Sequence, residues 1–247
     1  MSITDPVRLS GSSAGGEVAS MECAQVRFLS VTDVESLVTL EESTWDEDQA
    51  ASAGELAARI QAYPQLGIGA FTADGVALAS LFMKPITVEE LRAAATWSDC
   101  AEVRTPAPAR TRSLFGISLS SIDADAVTAI FEFFWPYALK GGWRDIYLGS
   151  PMPGLRGWMK ANPEGSPDSY MREKRHGLPR DPQLRYYHGK GFREILECKP
   201  GYFPHPASLD HGAVIRGRIP LAAGAPLWRL VPLSWLHLMR STLFRLV

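Results

Sequence analysis

The stretch RYYHGKGF at residues 185–192 sets two phenols, an imidazole and an ammonium side by side. A phenol with a reference pKa near ~10 keeps its proton at neutral pH and can deliver it to a departing anion, so Tyr187 and the adjacent His188 are candidates for acid–base chemistry. The same residues also suit a structural corner. Gly189 and Gly191 flank Lys190 where a helix would end in a left-handed cap before the strand-like run FREILEC. There Tyr187 would pack its ring on a sheet and bond a backbone carbonyl. No metal is expected: Cys23, Cys100 and Cys198 are far apart, form no CxxC pair and no cluster with histidine, and read as reduced thiols.

The frame that must hold this corner is an ordinary globular one. The 247 residues are 46% hydrophobic and 21% charged, enough for one well-packed core carrying insertions. A formal net charge of -2 gives no general field for a polyanion, which argues against nucleic acid as a partner. Residues 1–23, with the run SGSSAGGEVAS, read as a flexible polar tail rather than a signal peptide, and a cytoplasmic protein is expected.

Periodicity along the chain alternates between strand and helix. QVRFLSV (25–31) reads as a strand, Thr32 or Asp33 as an N-cap for VESLVTLEE, and Ser52 to Ala62 as a second helix stopping near Pro64. LGIGAFTADGVALASLFM reads as a hairpin turning at Asp74-Gly75. Residues 86–111 read as an insertion with one helix, VEELRAAATW, and a Pro-rich exit. Strand SLFGISLSS, a long apolar helix from Asp123 to Leu139 closed by Gly141-Gly142, and strand DIYLGS follow. Such a strand–helix–strand unit implies a right-handed crossover and a parallel strand pair. Residues 151–181 read as a long Pro/Gly-rich loop carrying Arg172, Lys174, Arg175 and His176, either a lid or anion contact or a surface excursion, and strands flank PGYFPHP.

This order, together with Tyr187, three residues, Gly191 and Phe192, resembles the GNAT superfamily of acyl-CoA-dependent acetyltransferases over roughly residues 24–220. ITVEELRAAATWSDCAEVRTP and the stretch from DPQLRYYHGKGF to Pro220 are similar to the GNAT-like domains of polyketide synthase loading modules and their stand-alone relatives. The resemblance implies an α/β (α+β) fold, a mixed and largely antiparallel sheet with a splayed parallel pair, here SLFGISLSS and DIYLGS. The pantetheine arm of acetyl-CoA, of another acyl-CoA, or of a carrier-protein phosphopantetheine would lie between those strands. Gly116, Ile117, Ser118, Leu119 and Ser120 are then cofactor-binding candidates. An amine attacks the thioester, a carboxylate or water takes its proton, and Tyr187 returns one to the thiolate. The acceptor site is implied between the first two helices, where Trp45, Asp46 and Glu47, with Glu42 nearby, would serve as base or amine-binding groups; a solvated acidic loop accounts for the same residues.

Three departures bear on the chemistry. In the loading subgroup the equivalent stretch reads arginine, aromatic, histidine, and a threonine after the preceding strand assists decarboxylation of a malonyl thioester. Here Tyr187 stands at that histidine, His188 one place later, and Ser150 is the hydroxyl nearest the threonine position. The resemblance also implies a glycine-rich pyrophosphate loop where this chain reads SLSSIDADAV, without glycine or a basic residue; Asp123 and Asp125 suit a helix cap and repel an anion. Three readings therefore stand: acyltransferase, malonyl-thioester decarboxylase, and non-catalytic binding module. Finally, residues 221–247 form an apolar, arginine-bearing tail whose stretch past Pro232, about 15 residues, is too short and too interrupted by arginine to span a bilayer, and which reads as a helix for membrane-surface or protein contact through residues 227–247, or as a cover for its own domain.

Overall fold

The computed structural model describes residues 24–45, 49–108 and 111–245. Strand β1 (Gln25–Phe28) ends three residues earlier than its pattern suggests. The Ser30 amide donates to the Asp33 carboxylate at 2.8 Å, and Arg27 clamps the same carboxylate at 2.6 and 2.7 Å, which turns the chain into α1 (Val34–Thr44). Helix α2 (Ala53–Ala62) starts at a Ser52/Glu55 capping box. Strands β2 (Gly67–Phe71) and β3 (Ala77–Ile86) form the expected hairpin, with Gly75 at φ 88°.

The insertion holds two short helices rather than one, α3 (Val88–Ala93) and α4 (Trp97–Ala101). Thr96 caps α4, and the buried Lys199 ammonium donates to Leu91 O at 3.1 Å and to Ala94 O, ending α3. Strand β4 (Ser113–Ser121), helix α5 (Ala124–Gly141) and strand β5 (Asp145–Pro151) form the crossover unit; Gly142, at φ 75°, closes α5. Residues 151–181 are not the loop expected from their Pro/Gly content. They contain α6 (Leu155–Ala161), α7 (Pro167–Arg172) and a two-stranded ribbon, β6 (Lys174–Arg175) with β7 (Leu178–Pro179), and they bury Leu155, Tyr170 and Met171. Then come α8 (Pro182–Gly189), β8 (Glu194–Lys199), β9 (Gly212–Arg218), α9 (Ala225–Trp228) and α10 (Leu233–Arg245).

The main sheet has the order β1-β2-β3-β4-β5-β9-β8, antiparallel except for the β4–β5 pair. Strand alternation divides the core in two. Leu81, Leu114, Ile146 and Leu148 pack under α5, while Phe82, Phe115 and Tyr147 pack under α1 and α2 with Leu37, Leu40 and Leu56. Helix α10 lies on α5, with Leu236 fully buried and the His237 ring edge-on to Tyr137 at 5.1 Å. Among the described residues no helix is long and apolar enough to cross a membrane.

Candidate active site

Strands β4 and β5 pair from Ser113↔Asp145 to Gly116↔Leu148 and then part. Beyond that point β4 runs on to Ser121 and β5 to Pro151. The cause is local: Gly116 faces Met83 and Ser118 faces Phe82, so Ile117 is an extra residue that bends β4. Ile122 N bonds Leu78 O at 3.0 Å and Ser120 pairs with Ser80, so alternation directs the backbone amides of Leu119 and Ser121 away from β3, into the gap left by β5. The expected run Gly116–Ser120 therefore serves two sides: Leu119 turns its backbone to the gap, whereas Ser118 and Ser120 point their side chains at α1 and α2.

On that helical side lies a buried polar cluster. The Trp45 indole donates to Ser120 Oγ at 2.8 Å, Ser120 Oγ donates to Glu41 Oε1, and the Ala51 amide donates to Glu41 Oε2 at 3.2 Å. Arg59 donates to Ser118 Oγ at 3.4 Å; burial lowers its pKa, and the nearby Glu41 and Glu55 carboxylates oppose that shift. The Ser80 hydroxyl, opposite Ser120, is buried with no partner among the described residues. The carboxylate that reaches β4 is thus Glu41, not the expected Glu42, which is exposed; Asp46 and Glu47 lie outside the described residues. A signal was present in the sequence. Leu37, Leu40 and Glu41 share one face of α1, and Leu56, Arg59 and Ile60 one face of α2, each putting a charge on an apolar stripe.

The opposite side of the sheet carries the phenol. Asp181 caps α8, accepting from Gln183 N and Leu184 N at 2.9 and 3.2 Å, and its other oxygen accepts from Tyr170 Oη at 2.9 Å and Gly154 N at 3.1 Å. These bonds fix α8 against the end of β5. Tyr187 packs on Phe192 with centroids 6.0 Å apart and on the α5-side core; burial pushes its pKa up to about 12, the Gln183 side chain pulling the other way. His188, half-buried, follows Tyr187 about 100° further round the helix. Ser150 is fully buried, and its hydroxyl donates to Pro151 O at 2.9 Å.

No protein-family model and no curated protein matches the sequence. Solved structures do. A GNAT-like decarboxylase, GphF in complex with isobutyryl-CoA, is 22% identical, with 79% of this chain covering 99% of that one at a TM-score of 0.64. The loading GNATL domain of CurA from Lyngbya majuscula is 18% identical, with 80% of this chain covering 98% of that one at 0.67. The chain has the GNAT fold. The parting of β4 and β5 is therefore the splayed pair which the resemblance implied.

One part of this GNAT fold is built differently from the implied phosphate cradle. At the start of α5, Asp123 Oδ1 accepts from Asp125 N at 2.7 Å and from Ala126 N at 2.9 Å, so the amides that would receive a pyrophosphate are already occupied by a carboxylate. Further along α5, a cavity of about 370 Å³ lies against the Gly189–Arg193 corner, with Lys190 Nζ 3.1 Å from Thr128 Oγ1 at its rim.

Proposed function

We propose that this chain is a GNAT-type acyltransferase that takes an acyl group from a pantetheine thioester, on a carrier protein in preference to free CoA, and passes it to an amine. The reading rests on two groups: a buried carboxylate, Glu41, reaches β4 through Ser120 just past the point where β4 leaves β5, and the phenol of Tyr187 packs on the opposite, α5-side face of the sheet. A thioester in that gap would find free backbone amides on β4 for its pantetheine arm. The amine nitrogen attacks the thioester carbon and Glu41 takes its proton by way of Ser120. The C–N bond forms as the C–S bond breaks and Tyr187 protonates the departing thiolate; Glu41 then releases its proton to water and Tyr187 takes one back, which restores both groups. A phenol whose pKa stands at about 12 is fully protonated at neutral pH, as this role requires.

The preference for a carrier follows from the self-capped start of α5. A diphosphate there would face Asp123 and Asp125, whereas a pantetheine arm held by its carrier brings a single phosphodiester and a docking surface of its own. In this reading residues 24–220 form the acyl-transfer unit and residues 221–247 an appendage.

A second reading, decarboxylation of a malonyl thioester, draws on the likeness to the GphF GNAT-like decarboxylase and on the buried Ser150 hydroxyl at the end of β5. Mass analysis separates the two. The purified chain is incubated with acetyl and malonyl thioesters of CoA and of a phosphopantetheinylated carrier protein, with and without a primary amine. Acyl transfer to the amine, fastest from the carrier, supports the first reading. Loss of CO₂ from the malonyl thioester without an amine supports the second, and untouched thioesters in all mixtures refute both.

A further inference from the structure

The buried cation beside Glu41 is short of partners. Arg59 is only 9% exposed, on the face of α2 that also buries Leu56 and Ile60. A guanidinium has five N–H donors, and the bond Arg59 makes, from Nη1 to Ser118 Oγ at 3.4 Å, is well beyond the ~2.8 Å of a charge-assisted one. The guanidinium also stands over the Phe82 ring, 5.8 Å from its centroid, but it forms no ion pair among the described residues. Glu41 attracts it from further off, and both Glu41 oxygens are engaged elsewhere, by the Ser120 hydroxyl and the Ala51 amide. Burying a charge in this way costs free energy until a counter-ion meets it. A second unmet group lies on the same face of the sheet. Ser80 is fully buried opposite Ser120, two positions before Phe82, and its hydroxyl has no partner among the described residues.

We propose that Arg59 receives the carboxylate of the acceptor, so that the amine acylated at this site belongs to an amino acid; this rests on the acyl-transfer reading above and names its acceptor. Ser118 and Ser120 stand on one face of β4, two residues or roughly 7 Å apart. They hold Arg59 and Glu41 on the same side of the sheet, just past the last β4–β5 pair, Gly116↔Leu148. An amino acid is matched there at both ends. Its amine meets Ser120 and, through it, Glu41, while its carboxylate offers two oxygens to the planar guanidinium fork. A simple amine leaves the buried cation as it stands, and an acceptor bearing a phosphate sets a second negative charge near Glu41. The carboxylate of a malonyl thioester has the same chemistry. An ion pair to arginine, however, stabilises the group that decarboxylation must discharge as CO₂, so Arg59 suits a carboxylate that stays on its carbon.

The test uses the full chain, a carrier-bound acetyl thioester and two sets of acceptors: the standard primary-amine amino acids with β-alanine, and the amines obtained by replacing the carboxylate of each with hydrogen. At least one amino acid should be acylated with a kcat/KM ~10²-fold above that of its paired amine. Arg59→Met should collapse that ratio to within about threefold, chiefly through KM, and Arg59→Lys, which keeps the charge but not the fork, should fall between, with a melting temperature showing that it folds. Calorimetry with the same amino acids and no thioester gives a readout independent of the reaction. Amino-acid binding that Arg59→Lys weakens tenfold, in a chain that transfers no acyl group, would uphold the carboxylate site and sink the transferase reading. Acyl transfer to amines and amino acids alike would do the reverse. The proposal is also overturned if no amino acid binds or outperforms its paired amine, if both variants keep the wild-type selectivity, or if Arg59→Lys alters only CO₂ release from a malonyl thioester, which would assign Arg59 to that carboxylate.

Discussion

Trp45 and Glu41 meet through one hydroxyl: the Trp45 indole donates to Ser120 Oγ at 2.8 Å, and the same oxygen donates to the buried Glu41 carboxylate. Helix α1 is thereby tied to β4 beyond the point where β5 departs. Glu41→Gln keeps the shape and removes the base, so turnover should fall ~10²-fold or more while the melting temperature moves little. Turnover within a factor of two of wild type would take Glu41 out of the proton path.

Tyr187→Phe removes only a hydroxyl from a ring that still packs on Phe192. Turnover should drop ~10²- to 10⁴-fold, as for loss of a general acid, with unchanged folding. His188→Ala, on a different side of α8, should leave most of the activity. The reverse ranking in steady-state assays would assign the proton to the imidazole.

Replacing Asp123 tests why free CoA should bind poorly. Asp123→Ser keeps a capping oxygen but removes a charge from the start of α5, so calorimetry should show CoA binding several-fold tighter, with binding of carrier-bound thioester little changed. Identical CoA affinities in wild type and variant would mean that the diphosphate does not approach this turn.

The close approach of Tyr202 to β5 requires Gly149. A Cβ there would sit 2.5 Å from Cε1 of the buried Tyr202 and 3.1 Å from its hydroxyl. Gly149→Ala should therefore destabilise the fold by about 1–3 kcal/mol in denaturant melts. A smaller loss would show that Tyr202 can swing away.

His237 gives α10 a pH dependence. Burial against Phe133 and Tyr137, then the Arg240 charge, lower its pKa below the usual imidazole value of about 6.5. The folded chain thus resists protonation that the unfolded chain accepts. The stability contribution is complete above the unfolded pKa and declines as pH falls through it toward the lowered folded value. Between pH 7 and pH 5 the wild-type melting temperature should fall further than that of His237→Phe; parallel curves would dismiss the effect.

Local chemistry in the sequence determined the elements with strong signals. The Ser52/Glu55 box, the Asp74-Gly75 turn, the left-handed Gly142 and the alternation in SLFGISLSS each fix backbone within a few residues, and the crossover from β4 to β5 follows from their order. The GNAT resemblance rested on these and on the Tyr187 to Phe192 pattern. Residues 151–181 misled because proline and glycine mark breaks without indicating the short helices between them, whose stability comes from burying Tyr170 and Met171. Only the tertiary structure decided which charges form the site. Glu41 and Arg59 already interrupt apolar stripes in the sequence, but a buried charge needs partners, and theirs come from β4, some 60 to 80 positions away in the chain. Whether Asp123 blocks its helix end was equally a matter of geometry, since a carboxylate occupies backbone amides only when its rotamer and the turn before α5 bring them within 3 Å.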